Sequence, residues 1–108
     1  MKTVYLSGPY NGNIINVSMA IDIYEKIQTD VPNVIVFIPH LLHYVNVFYH
    51  HTELYWLDVD LKWVSVCDCV FPMPGISDGA DKEVKMAEAL GKPVFRDVDS
   101  LYDWAVKK

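Results

Sequence analysis

The chain is 108 residues long and about half hydrophobic, with seven tyrosines, three tryptophans and a formal net charge of −5. That is enough for one domain, residues 1–108, with a true core, and too apolar for a disordered segment. The negative balance, with Arg96 as the single arginine, argues against nucleic acid or an anionic membrane as partner.

Thr3-Val4-Tyr5-Leu6-Ser7 reads as a short strand ending in a turn-rich loop, Gly8 to Asn13. With a strand at the very start, no signal peptide is expected, and no apolar run reaches the length of a membrane span. A cytoplasmic protein is the expectation. Asn13 or Asn16 can cap the next helix, whose apolar positions Val17, Ala20, Ile21, Tyr24 and Ile27 keep helical spacing. Val31-Pro32-Asn33 breaks it. The continuous apolar run from Val34 to Ile38 predicts a strand buried on both faces of a parallel sheet. Pro39 ends that strand and His40 follows.

From Leu41 to Thr52 the sequence is aromatic, histidine-bearing and without a clean period, and a loop with one short helix is expected. A long helix follows from Glu53 to Val66. Cys69-Val70-Phe71 predicts the core of a third strand, and Pro72 to Ile76 is a link of turn formers. The next helix runs to Leu90 and stops at Gly91, with Asp78 as its expected N-cap and acids in its first turn. Pro93-Val94-Phe95 predicts a fourth strand, and a helix from about Ser100 to Val106 closes the chain.

This alternation predicts an α/β protein: a small doubly wound, flavodoxin- or Rossmann-like parallel sheet of four to five strands with helices on both faces. Ligands of such sheets bind beyond the carboxyl ends of the strands. Three segments converge there: Ser7 to Asn13, His40, and Met73 to Glu83.

Glu83 shares a helical stripe with Ala80, Val84, Ala87 and Leu90, so its carboxylate lies on the apolar face. Asp60 does the same on the preceding long helix, among Trp56, Trp63 and Val64. A carboxylate in such a place costs free energy unless it is paired or used. The plain alternative is an acid satisfied by neighbouring backbone or a buried hydroxyl. Tyr5, near the carboxyl end of the first strand, either reaches a site with its hydroxyl or is an ordinary core tyrosine. Ser77, Gly79 and Ala80 form a helix N-terminus suited to an anion, and Ser7, Gly8, Asn11 and Gly12 can add donors. Neither a Walker loop nor a dinucleotide fingerprint is present.

Of the histidines His40, His43, His50 and His51, His40 at the strand end is the one placed to meet a ligand. No committed third ligand makes the group a metal site. Tyr44, Phe48, Tyr49 and Tyr55 wall either an apolar pocket or a subunit interface. Cys67 and Cys69, two apart, fall short of a structural zinc set and read as reduced, partly buried thiols.

Val4-Tyr5-Leu6-Ser7-Gly8-Pro9, Asp58-Val59-Asp60-Leu61, Cys67-Asp68, Ser77-Asp78-Gly79-Ala80 with Glu83, and Leu90-Gly91-Lys92-Pro93-Val94 come in an order that resembles the nucleoside 2-deoxyribosyltransferase-like superfamily. The superfamily includes deoxynucleoside monophosphate N-glycosidases. The resemblance implies cleavage or transfer of the N-glycosidic bond of a (deoxy)nucleoside or its 5′-monophosphate, with no cofactor. Glu83 would be the nucleophile on the anomeric carbon, Asp60 would position the sugar or assist proton transfer, and Tyr5 would orient the nucleophile. Ser77, six residues before Glu83, corresponds to a serine that contacts phosphate in nucleotide hydrolases. Asn11 stands where those hydrolases carry an arginine. The resemblance also implies a homodimer or higher homo-oligomer, in which a partner's segment after the fourth strand completes each site; here that segment is expected to be shortened or missing. The alternative within the same fold is a nucleotide-binding module that does not turn its ligand over.

Overall fold

A computed structural model describes residues 1–9, 13–75 and 77–107. Three parallel strands form the sheet: β1 (Lys2–Ser7), β2 (Val34–Phe37) and β3 (Cys69–Pro72), in the order β2-β1-β3. β1 is therefore the central strand, with Tyr5 opposite Phe37 on one side and Val70 on the other.

Helix α1 (Ile14–Asp30) joins β1 to β2, and its N-cap is Asn13, whose side chain accepts from the Ile15 N–H. Between β2 and β3 come two short helices, α2 (Pro39–Leu42) and α3 (Val45–Phe48), and the long α4 (Glu53–Val66). The segment expected to hold one short helix thus holds two, one on each side of His43 and Tyr44. Thr52 caps the start of α4. Lys92 closes its far end, its ammonium donating to the carbonyls of Ser65 and Cys67. Helix α5 (Asp78–Ala89) follows β3, and α6 (Val98–Val106) ends the described chain.

Strand alternation on β1 sorts the core into two parts. Val4 and Leu6 join Ala20 and Ile27 of α1 and Leu101 and Ala105 of α6 in the larger apolar cluster. Tyr5 faces the other way, with Val64 of α4 and Ala87 of α5. Helices thus cover both faces of the sheet, as the alternation of elements predicts.

Two expectations need correcting. The fourth strand shrinks to a single bridge, Val94 to Val70, held by the Val70 N–H to the Pro93 carbonyl and the Phe95 N–H to the Val70 carbonyl. Pro93 brings no N–H of its own, and the chain turns into α6 within a few residues. The sheet among the described residues therefore has three strands rather than four to five. Nor is β2 buried on both faces. It is an edge strand: Val34 and Val36 are buried, while Ile35 points to the opposite face and is 53% exposed.

Candidate functional site

Tyr5 and Ser7, two apart on β1, present their hydroxyls on the same face of the sheet. Both reach Glu83 on α5. The Tyr5 hydroxyl donates to Glu83 Oε2 at 2.7 Å, and the Ser7 hydroxyl donates to Oε1 at 2.7 Å. Each carboxylate oxygen thus has one fixed donor and keeps lone pairs free for other contacts. All three residues are buried.

Burial pushes the Glu83 carboxyl up from the ordinary 4.5 to about 7. The bonds from Ser7 and Tyr5 oppose that rise, and the neighbouring Asp60 carboxyl adds to it. Glu83 is the sixth residue of its helix, beyond the first turn where the helix dipole acts. Burial, not the helix dipole, is therefore the dominant effect on its charge. The Tyr5 phenol is held well above the ordinary tyrosine value, by burial first and then by Glu83 and Asp60. It stays protonated and serves as a donor.

Asp60 comes from α4, which packs against α5, and its carboxyl is buried beside Glu83. Asp60 also pairs with His43, whose Nε2 lies 2.8 Å from its carboxyl. His43 was not singled out by the sequence. It caps the C-terminal end of α2 and lies against the Trp56 ring, centroid to centroid 4.5 Å. Trp56 lies one helical turn before Asp60 and is itself anchored, its indole N–H donating to Asn46 Oδ1 at 2.9 Å. A histidine whose chain position faces an apolar-stripe acid is the available signal, and the irregular segment around it hid the geometry. The Tyr5 ring is flanked by Phe37, which stacks on Trp63 at 4.5 Å, so an aromatic wall adjoins the acids.

The N-terminus of α5 belongs to the same region. Gly79 and Ala80 lie four and three residues before Glu83, one turn along the same face. Ser77, not Asp78, is the N-cap: its backbone is extended, and its hydroxyl accepts from the Ala80 N–H at 3.2 Å. Asp78 is the first helical residue and contributes charge to the first turn instead. The Ser77 hydroxyl retains its proton for a further acceptor.

Other predicted residues play a supporting part. His40 is buried, with Nε2–H donating to the Pro9 carbonyl at 3.1 Å, and burial lowers its basicity. It braces the loop after β1. Gly8 packs on Met73, where a Cβ would come within 2.9 Å of the Met73 Cβ. That close approach explains the glycine. The Met73 N–H also donates to the Ser7 carbonyl, tying together the ends of β1 and β3. Asn11 lies outside the described residues. Tyr44, Phe48, Tyr49 and Tyr55 are exposed, with Phe48 and Tyr49 more than 70% so. Cys67 and Cys69 are free and buried. Burial pushes the Cys69 thiol up to about 12, which leaves it unreactive. No described helix is long and apolar enough to cross a membrane.

Residues 2–96 match the family model described as a domain of unknown function, DUF4406. Among curated proteins, none matches the chain. Among solved structures, the 2-deoxyribosyltransferase of the psychrotolerant bacterium Bacillus psychrosaccharolyticus superposes with a TM-score of 0.61 at 20% identity. The match covers 98% of this chain and 92% of that one. The chain has the fold that its motifs resemble, that of the nucleoside 2-deoxyribosyltransferase-like superfamily.

Proposed function

The chain belongs to the DUF4406 family, and from that membership and its fold we propose that it cleaves or transfers the N-glycosidic bond of a (deoxy)nucleoside or its 5′-monophosphate. The similar Bacillus enzyme, a 2-deoxyribosyltransferase applied to nucleoside synthesis, supports the reaction class. The observation that carries the reading is Glu83: a buried carboxylate with one hydroxyl donor on each oxygen and a second acid beside it. Buried acids held this way serve chemistry better than stability, because an apolar pair would fill the same space at lower cost.

In this reading the ionised Glu83 attacks the anomeric carbon as the C1′–N bond breaks, and the bond's electron pair leaves with the base. A carboxylate next to an oxocarbenium-like centre stabilises it and captures it covalently. Tyr5 and Ser7 hold the two oxygens so that one faces the sugar. Asp60 delivers a proton to the departing base and then takes one from the acceptor, water or a second base, as the sugar leaves Glu83. Gly79, Ala80 and the Ser77 hydroxyl, one turn above Glu83, are the groups available for the far end of the sugar or its phosphate. Gly8 after β1 and His40 in α2 would line the same site. The exposed Tyr44, Phe48, Tyr49 and Tyr55 form the face we assign to self-association, since exposed apolar clusters of this kind mark interaction surfaces. Two free thiols suit a reducing, cytoplasmic setting.

The test is a panel of deoxynucleosides and their 5′-monophosphates, followed by chromatography for free base, with Glu83→Ala in parallel. Wild-type protein is expected to release base, and Glu83→Ala to release about 10⁴-fold less while remaining folded. Undiminished release by Glu83→Ala would sink the assignment. Stoichiometric binding with no product from any of the panel would make the protein a nucleotide-binding module instead.

A further inference from the structure

We infer that His43 is the positioning residue that fixes the Asp60 carboxyl and supplies the proton that Asp60 hands to the departing base. The inference rests on the glycosidic reading above and adds a residue that neither the motifs nor the family match assigns.

Two acids from different helices, Asp60 and Glu83, lie side by side in a buried setting, where their like charges oppose one another. His43 pairs with one of them, its Nε2 2.8 Å from the Asp60 carboxyl, while the donors to Glu83 are Tyr5 and Ser7. The imidazole is not a surface group that happens to reach inward: its side chain is 12% exposed and that of Asp60 8%. It is also held from behind. Trp56 packs against the ring, and Asn46 fixes Trp56 through its indole N–H while accepting from the His51 N–H at 2.6 Å. Such bracing of a ring against its partner is what a defined proton path needs.

The ionisable groups around the imidazole come from four elements. Asp60 faces it from α4, His40 from α2, and behind Asp60 stand Glu83 from α5 and Tyr5 from β1. Tyr5 stays protonated, and burial lowers the basicity of His40.

The steps balance as follows. Protonated His43 gives its Nε2 proton to Asp60 as Asp60 gives its own to the base nitrogen. The C1′–N electron pair leaves with the base, and a Glu83 oxygen bonds to C1′. When the acceptor attacks C1′, the Glu83 carboxylate departs, Asp60 takes the acceptor's proton, and His43 recovers the one it gave.

A leaving group that needs no donated proton separates this role from a structural one. Base release is measured from 2′-deoxyguanosine and from N7-methyl-2′-deoxyguanosine, whose cationic purine departs as a neutral base unaided. Wild type, His43→Asn and His43→Gln are compared, each variant keeping an amide donor for Asp60, so that misfolding of one leaves the other to decide. The expected result is a loss of about a hundredfold on the unmethylated substrate and less than about threefold on the methylated one. Equal losses on both substrates, or no loss on either, would overturn the proton role while leaving the glycosidase reading standing. Wild-type protein inert toward both substrates, their 5′-monophosphates and the rest of the panel would overturn that reading, and this inference with it.

Discussion

Val4 and Leu6 leave β1 on one side of the sheet and Tyr5 and Ser7 on the other, and the two sides are made of different materials. On the first, side chains of α1, α6 and all three strands close an apolar cluster with no charged member. On the second, a smaller apolar cluster shares its space with Glu83, Asp60 and His43. The difference shows how a chain this short keeps a site. Hydrophobic burial on one face carries the stability, so that the other face can hold groups whose burial costs free energy. A single strand serves both because its side chains alternate.

The largest effect expected from breaking this division is on the apolar side. Leu6 is fully buried in the larger cluster, and Leu6→Ala should cost about 3 kcal/mol of stability in denaturant unfolding. Activity per folded molecule should hold. A variant that keeps its stability but loses its activity would show that the two faces are not separate in the way described.

Tyr5→Phe probes the neighbouring residue on the opposite face. It removes one donor from Glu83 and leaves the ring in place, so base release should fall about tenfold or more with a much smaller change in stability. The lost bond is one that holds the Glu83 carboxyl down. The pH at which activity appears should therefore move upward. A pH profile unchanged from wild type would mean that Tyr5 packs beside Glu83 without tuning it.

The smallest effect is on stability against pH. The folded-state value of Glu83 is raised from the ordinary 4.5 to about 7, so between those values the folded protein binds more protons than the unfolded chain. The contribution of Glu83 to stability is then complete below about 4.5 and is lost as pH rises through about 7. Glu83→Gln, which cannot ionise, should gain a few degrees in Tm relative to wild type at high pH and little in mild acid. Equal Tm differences at both ends would place the titration elsewhere. The same ionisation should switch activity in the opposite sense, because the nucleophile is the charged form: base release rises as stability declines.

Much of this was legible in the residues. Apolar spacing alone marks the helix from Glu53 to Val66 and places Asp60 and Glu83 on stripes where acids do not belong. Those two anomalies depend on local periodicity, which a short window of sequence carries in full. The N-cap of α5 came out one residue away, at Ser77, because serine and aspartate cap equally well. The direction in which the chain leaves Gly75, with its φ of +127°, is not a local preference that either side chain announces.

What only the tertiary structure decided are the pairings between elements distant in the chain. β2 became an edge strand with Ile35 exposed, because strand order is fixed by packing and crossovers and not by the apolar run itself. The fourth strand narrowed to one bridge for the same reason. Tyr5 and Ser7 meet Glu83 across more than 75 residues of sequence, and His43 meets Asp60 from a segment with no period to read. Sequence pattern sets which side chains each element turns inward. Which of them then touch is set by how the elements stack, and here that stacking brought two isolated acids, two hydroxyls and a histidine into one network.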